Sequence, residues 1–363
     1  MIIYCVLIAL VTIFALTAEH LLKTVSAPAI QKRQLLTNKK YDKTLICLIF
    51  LCIAFVAAFR YDVGVDFHSY YNIQQWASAF QRGNYTDPGF SLLAMFCQWL
   101  LPNQKGALII ISAIITVALF VFTIAKRGES LSMSIILFFF VGCFTGMFNG
   151  VRQFLAAAIL FAGYPLIIKK KFWKWLIVVS LAATIHITSI LMLFAYFICN
   201  LKCDWRLVVL YALIAVVLLF LYEPLFDLVG AMKQTEIDSE LAYMSSSVNI
   251  LRVAVQCVPL LMFLFIDKDK VNEDAECRFL FNICLLNAAI AVASMNSAYF
   301  SRFSIYMFPF LILMYPKIFT KMSKDNANIL SLLLLIGYCA YWLYSIYADG
   351  TRNFNWMFPF LFS

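Results

Sequence analysis

Residues 172-FWKWLIVVSLAATIHITSILMLFAYFICN-200 form an apolar run with Thr184, His186, Thr188 and Ser189 at its centre. A helix needs roughly 20 apolar residues to cross about 30 Å of hydrocarbon. This run is too long for one simple span, and how it folds sets the parity of every segment after it. Either it crosses once, or it enters, breaks near His186 and returns to the side it came from.

The basic residues decide between the two. Residues 23–43 hold Lys23, Lys32, Arg33, Lys39, Lys40 and Lys43, which makes that loop cytoplasmic and puts residue 1 outside. Counting forward, Lys126 and Arg127 fall inside, Arg152 outside, and Lys169, Lys170 and Lys171 inside. A single crossing at 172–200 then leaves roughly 16 basic residues inside and 12 outside, whereas a broken hairpin gives roughly 20 and 8. The hairpin is expected. It gathers Arg60, Arg152, Arg252 and Arg302 on the outer face. Non-helical backbone at membrane depth survives only where protein buries it or where it lines a cavity. The break therefore points to a cavity that opens outward.

Outward from this hairpin, full-length spans are expected near 2–22, 44–59, 106–125, 131–148, 153–168, 206–222, 249–266, 278–296, 303–320 and 327–347, while 90–101 is too short to cross. The expectation is an all-α polytopic integral membrane protein of about 10 spans plus the re-entrant hairpin. Residues 1–363 form a single transmembrane domain in this reading, with external loops 60–89 and 223–248. The composition agrees: 64% of the 363 residues are hydrophobic and 13% charged, against about 45–50% and about 25% in soluble proteins. That excludes a soluble enzyme, a secreted disulfide scaffold and a disordered chain. The net charge of +9 lies in short clusters between apolar runs, so no nucleic-acid partner is expected. The eleven Cys form no CxxC pair and read as small core hydrophobes. No cleavable signal peptide is evident. P-loop, HExxH, GxSxG and dinucleotide fingerprints are absent, and nothing suggests a nucleotide-driven pump.

Three places carry chemistry. The first is Arg60-Tyr-Asp62-Val-Gly-Val-Asp66-Phe-His-Ser-Tyr70-Tyr71. Asp62 and Asp66 are four apart, so a helix would put them on one face, with Arg60 as a cation beside them. The alternative is an interfacial helix anchored by its aromatics, among them Tyr70, Tyr71 and Trp76. The second is Asn149-Gly-Val-Arg152-Gln153 at a helix start, where a guanidinium fork suits phosphate; snorkelling is the alternative for Arg152. The third is His186 at the proposed break; separately, Arg302 in Tyr299-Phe-Ser-Arg302-Phe-Ser-Ile-Tyr306 begins a span from the outer side. Here helix packing and snorkelling are the plainer readings.

The Arg60…Gly64-Val-Asp66…Tyr70-Tyr71 block, the Asp87-Pro-Gly-Phe90 turn, Asn149…Arg152-Gln153, Lys169–Lys171, His186 and Arg302…Tyr306 together resemble the EpsG-like family of Wzy-type polysaccharide polymerases. The usual family pattern is an acidic residue followed by Gly-Phe; here Pro88 is interposed. The resemblance implies a helical bundle like that of C-type glycosyltransferases, in a bacterial inner membrane with its site facing the periplasm. It implies an O-antigen-type polymerase that moves a growing glycan from undecaprenyl diphosphate onto the non-reducing end of a lipid-linked repeat unit. An inner-membrane chain-length regulator is the implied protein partner. On that chemistry Arg152 and Arg302, with Arg60 as a third, would clamp the diphosphate without a metal or other cofactor. Arg60 with Asp66 would alternatively serve the acceptor side or organise the loop. Asp66, Asp62 and His186 are the candidate bases, and attack opposite the leaving group would invert the anomeric carbon. Asn149, Gln153, Tyr70, Tyr71 and Tyr306 are expected to contact substrate. The rivals are a lipid-linked oligosaccharide flippase and an O-antigen ligase. A flippase would be expected to carry a two-fold repeat that the sequence lacks.

Overall fold

The computed structural model describes residues 1–25, 41–79, 81, 83, 87–102, 104–198, 201–232, 248–295, 297–348 and 350–358. Most of the basic loop 23–43 and residues 233–247 of the expected outer loop lie outside these. Among the described residues the chain is helical apart from one two-residue antiparallel ladder, in which Arg60 and Tyr61 pair with Trp356 and Asn355.

Among the described residues six helices are long and apolar enough to cross a membrane: Ile2–Thr24, Ala107–Arg127, Leu131–Asn149, Val151–Ile168, Ala275–Ala293 and Lys324–Ala348. Six further apolar helices have only 10–17 residues. Several of the expected spans have other bounds, and the reasons are local. The 249–266 segment divides at Cys257 into Ile250–Gln256 and Val258–Met262, with Pro259 in the first turn of the second. The 303–320 segment opens as two 3₁₀ turns, Arg302–Tyr306 and Phe308–Phe310, before Leu311–Phe319 becomes α-helical. The helix Trp205–Met232 runs on past the residue where the outer loop was expected to begin.

Helix contacts define two ends of the bundle. At one, the Met1 amine donates to the Arg352 carbonyl at 2.7 Å, Tyr4 Oη donates to the Thr351 carbonyl at 3.0 Å, and the Arg60–Trp356 ladder closes over them. At the other, Glu19 accepts from Ser130 and Ser132, and Lys317 lies 3.1 Å from both Glu129 and Asp274. These opposite-charge pairs are partly buried and close the bundle's basic end.

The hairpin forms as expected. Helix Phe172–Ile185 stops at His186, whose backbone is extended (φ −155°, ψ 115°), and the chain returns as the 3₁₀ turn Ile187–Phe194 and helix Ala195–Ile198. The Phe172 and Tyr196 rings meet at 5.1 Å, so the two arms lie side by side. Fourteen residues of α-helix rise about 21 Å, less than a full hydrocarbon crossing of about 30 Å. The reversal into the hairpin is made by Lys170 in the left-handed region (φ 54°). The Lys171 N–H reaches the Leu166 carbonyl and the Lys170 N–H reaches that of Ile167, which is a Schellman cap.

Candidate functional site

Helix Val151–Gly163 puts Arg152 and Gln153 in its first turn. The small buried run Ala156-Ala157-Ala158 lets neighbouring helices approach its backbone closely. Around Arg152 the side chains converge from three separate segments. Its Nε donates to Tyr70 Oη at 3.3 Å, and its guanidinium carbon sits 4.6 Å over the Trp76 ring. Tyr70 and Trp76 stack at 5.6 Å, and Phe90 meets both edge-on. Its Nη1 donates to Asp87 Oδ2. The side chain remains 27% accessible.

Asp87 is the hub. Oδ2 also lies 3.2 Å from His186 Nδ1, and Oδ1 accepts the Ile187 N–H at 3.0 Å. One carboxylate thus ties the start of Pro88–Leu100 to the hairpin break and to Arg152. Burial pushes its pKa up, but the His186 hydrogen bond and charge, the Arg152 charge and the Ile187 N–H outweigh it, so Asp87 sits below the usual carboxylate range. The local sequence accounts for its position. Asp87 is left-handed (φ 53°), Pro88 starts the helix, and Gly89 packs directly on Thr184, where a Cβ would fall 2.8 Å from the threonine Cβ. Asp-Pro-Gly is the chemistry of that corner: Asp tolerates the left-handed region, Pro fits a helix start and only Gly fits the contact.

His186 Nε2 lies 3.1 Å from Gln153 Nε2. Both ring nitrogens are engaged, Nδ1 by Asp87 and Nε2 by the Gln153 amide, so His186 is positioned as a link between the two. Beyond the break, Thr188 Oγ1 and Tyr306 Oη share a 2.7 Å hydrogen bond that joins the hairpin to the Arg302–Tyr306 turn. Ser304 in that turn is anchored below by Gln256 and Asn287, each at 2.6 Å.

Asp66 faces this assembly half-buried. It precedes helix Phe67–Tyr71 without capping it. Burial raises its carboxyl above the usual range, against the opposing charges of Arg302 and Arg152. Asp66, Arg152 and Arg302 are therefore electrostatic neighbours. Tyr70, Gln153, His186 and Tyr306 complete what the structure brings together from the sequence expectation.

Four expected residues stand elsewhere. Arg60 is 1% exposed, donates to the Ala57 carbonyl and lies 4.5 Å over the Phe148 ring, so it is a packed core cation and not a cation beside two carboxylates. Asp62 is left-handed and its carboxylate lies 2.9 Å from exposed His68. The helix expected to align Asp62 with Asp66 begins only at Phe67. Gly64 causes this: at φ +100° it brings the loop against Phe148, where a Cβ would be 2.6 Å from the carbonyl oxygen. Asn149 Oδ1 accepts the Val65 N–H at 2.8 Å and so docks the loop. Tyr71 stacks on Phe67 at 5.3 Å, away from Arg152. Trp76 and Tyr70, readable as interfacial anchors, are instead the platform under Arg152. Asp87 was visible in sequence only as part of a turn; its partner His186 is 99 residues away.

The fold and site define a multi-pass helical membrane protein with a charged polar cluster at a broken hairpin. The chain matches the EpsG family over residues 43–360 and belongs to it. That membership ties it to polysaccharide biosynthesis. No curated protein and no solved structure matches it.

Proposed function

We propose that this chain is a polysaccharide polymerase, a glycosyltransferase that moves a growing glycan from a lipid diphosphate onto the non-reducing end of a lipid-linked repeat unit. The observation that carries this reading is Arg152: a guanidinium held by Tyr70, Trp76 and Asp87, yet still partly accessible. Rigid, pre-oriented cations stabilise charge that develops on a leaving group. Arg152 and Arg302 hold the diphosphate. Asp66, with its raised pKa, takes the proton of the acceptor hydroxyl as that oxygen bonds to the anomeric carbon. The carbon–oxygen bond to phosphate breaks with its electron pair, the lipid diphosphate leaves, and the anomeric carbon inverts. Asp87 and His186 stay in place throughout and orient Arg152 and Gln153. We assign the Arg152 end to the periplasmic side of a bacterial inner membrane, from the basic-residue distribution.

The test is purified protein in vesicles with lipid-diphosphate-linked repeat units. A ladder of lengthening products is expected, and Arg152→Lys should lose most of it while accumulating normally, because an ammonium does not replace a planar fork. Single-unit transfer to another acceptor would mean a ligase. Movement of the lipid across the bilayer without any product would mean a flippase. An unchanged ladder in Arg152→Lys would show that this guanidinium is not the clamp.

A further inference from the structure

At the opposite end of the bundle, a groove of about 480 Å³ lies between the end of helix Ala107–Arg127 and the segment 162–169. Its first wall rises through Ala118, Phe122 and Lys126, spaced four residues apart and hence in one row on the helix face. The second rises through Ala162, Leu166 and Lys169. Both walls are small or apolar below and cationic one turn higher. Arg127 also lines the groove. It reaches Glu276 at 3.9 Å, and its buried Nε has no hydrogen-bond partner among the described residues. Glu276 itself is engaged by Tyr164 Oη, which donates to it. Lys126, Lys169 and Phe122 are exposed on the groove's open side.

A hydrocarbon chain needs the lower half of such a groove and a phosphate needs the upper half. We infer that the groove holds one anionic membrane lipid, its phosphate against Lys126, Arg127 and Lys169 and an acyl chain along Ala118, Phe122 and Leu166. Basic pockets between transmembrane helices suit anionic head groups, and each nearby cation strengthens the attraction. A zwitterionic lipid offers the same tails but carries a cation that those side chains repel. The inference is independent of the reaction proposed above, because no residue of the Arg152 site takes part.

The experiment is native mass spectrometry of the full-length protein in a neutral detergent with phosphatidylglycerol and phosphatidylcholine supplied together. One phosphatidylglycerol should be retained in preference, and Lys126→Gln/Lys169→Gln should weaken that preference about tenfold or more. Lys202→Gln/Lys324→Gln, exposed cations outside the groove, should leave it unchanged. Inorganic phosphate at millimolar concentration should not displace the lipid. A second measurement does not depend on how the lysine variants fold: a photo-cross-linker at Phe122 should label phosphatidylglycerol over phosphatidylcholine. Equal retention of the two lipids, loss of preference in the control pair, displacement by free phosphate, or unselective labelling at Phe122 would each overturn the assignment.

Discussion

Between Arg152 and His186, the Asp87 carboxyl is held below the usual carboxylate range. A depressed folded-state pKa adds stability that is present above the unfolded value and lost as pH falls through the folded one. Denaturation in detergent across pH should therefore show an acid limb below about pH 4. Asp87→Asn should flatten that limb and, by leaving a half-buried guanidinium without its carboxylate, cost about 3–5 kcal/mol at neutral pH. Asp66 carries the opposite sign. Its pKa is raised, so ionisation works against the fold, and Asp66→Asn should leave neutral-pH stability unharmed while abolishing polymerisation. In the parent enzyme, activity should fall with acid through a pKa above the ordinary carboxylate value, because a base must be deprotonated. A variant that loses activity and stability together would mark Asp66 as structural.

The hairpin was legible in the sequence because charge arithmetic depends on parity, which survives errors of several residues at each helix end. His186 could be placed at the break for the same reason. What stayed hidden was its company. Asp87 is brought to it by the corner at Pro88 and the close contact of Gly89 with Thr184, and no spacing rule joins residues that far apart. The Asp62–Asp66 pair failed as a helix face since Gly64 turns the loop onto Phe148 before any helix begins. Two expected spans are divided where 3₁₀ turns and Pro259 interrupt segments whose hydropathy is continuous. Two element-level outcomes follow. Gly89→Ala should push the hairpin off Pro88–Leu100 and cost about 1–3 kcal/mol by overpacking, with Thr184→Ala restoring only part, since alanine keeps the Cβ of residue 184, 2.8 Å away. Lys170→Gly should raise the melting temperature slightly, because a side chain in the left-handed region costs roughly 1–2 kcal/mol.

Across the whole molecule the two ends of the bundle are chemically distinct, and labelling can assign them to sides. Single cysteines replacing exposed Asn353 and Glu273, in a background freed of the native cysteines, should react from opposite faces of intact cells. Labelling of Glu273 from outside, with Asn353 reacting only from inside, would undo the hairpin's parity. Purified enzyme should polymerise in excess EDTA, since Asp62 is paired with His68 and Asp66 faces two arginines; rescue by Mg²⁺ after chelation would instead make these carboxylates the ligands to test. The ladder between Arg60–Tyr61 and Asn355–Trp356 bears on assembly in time. The strand that anchors the Asp66 loop leaves the ribosome about 300 residues before its partner, which at 5–20 residues per second is an interval of about 15–60 s. During that interval the loop has Asn149 to hold it but no closing strand. Nascent chains stalled before residue 355 should therefore be cut by external protease near Val65, and those released beyond it should resist.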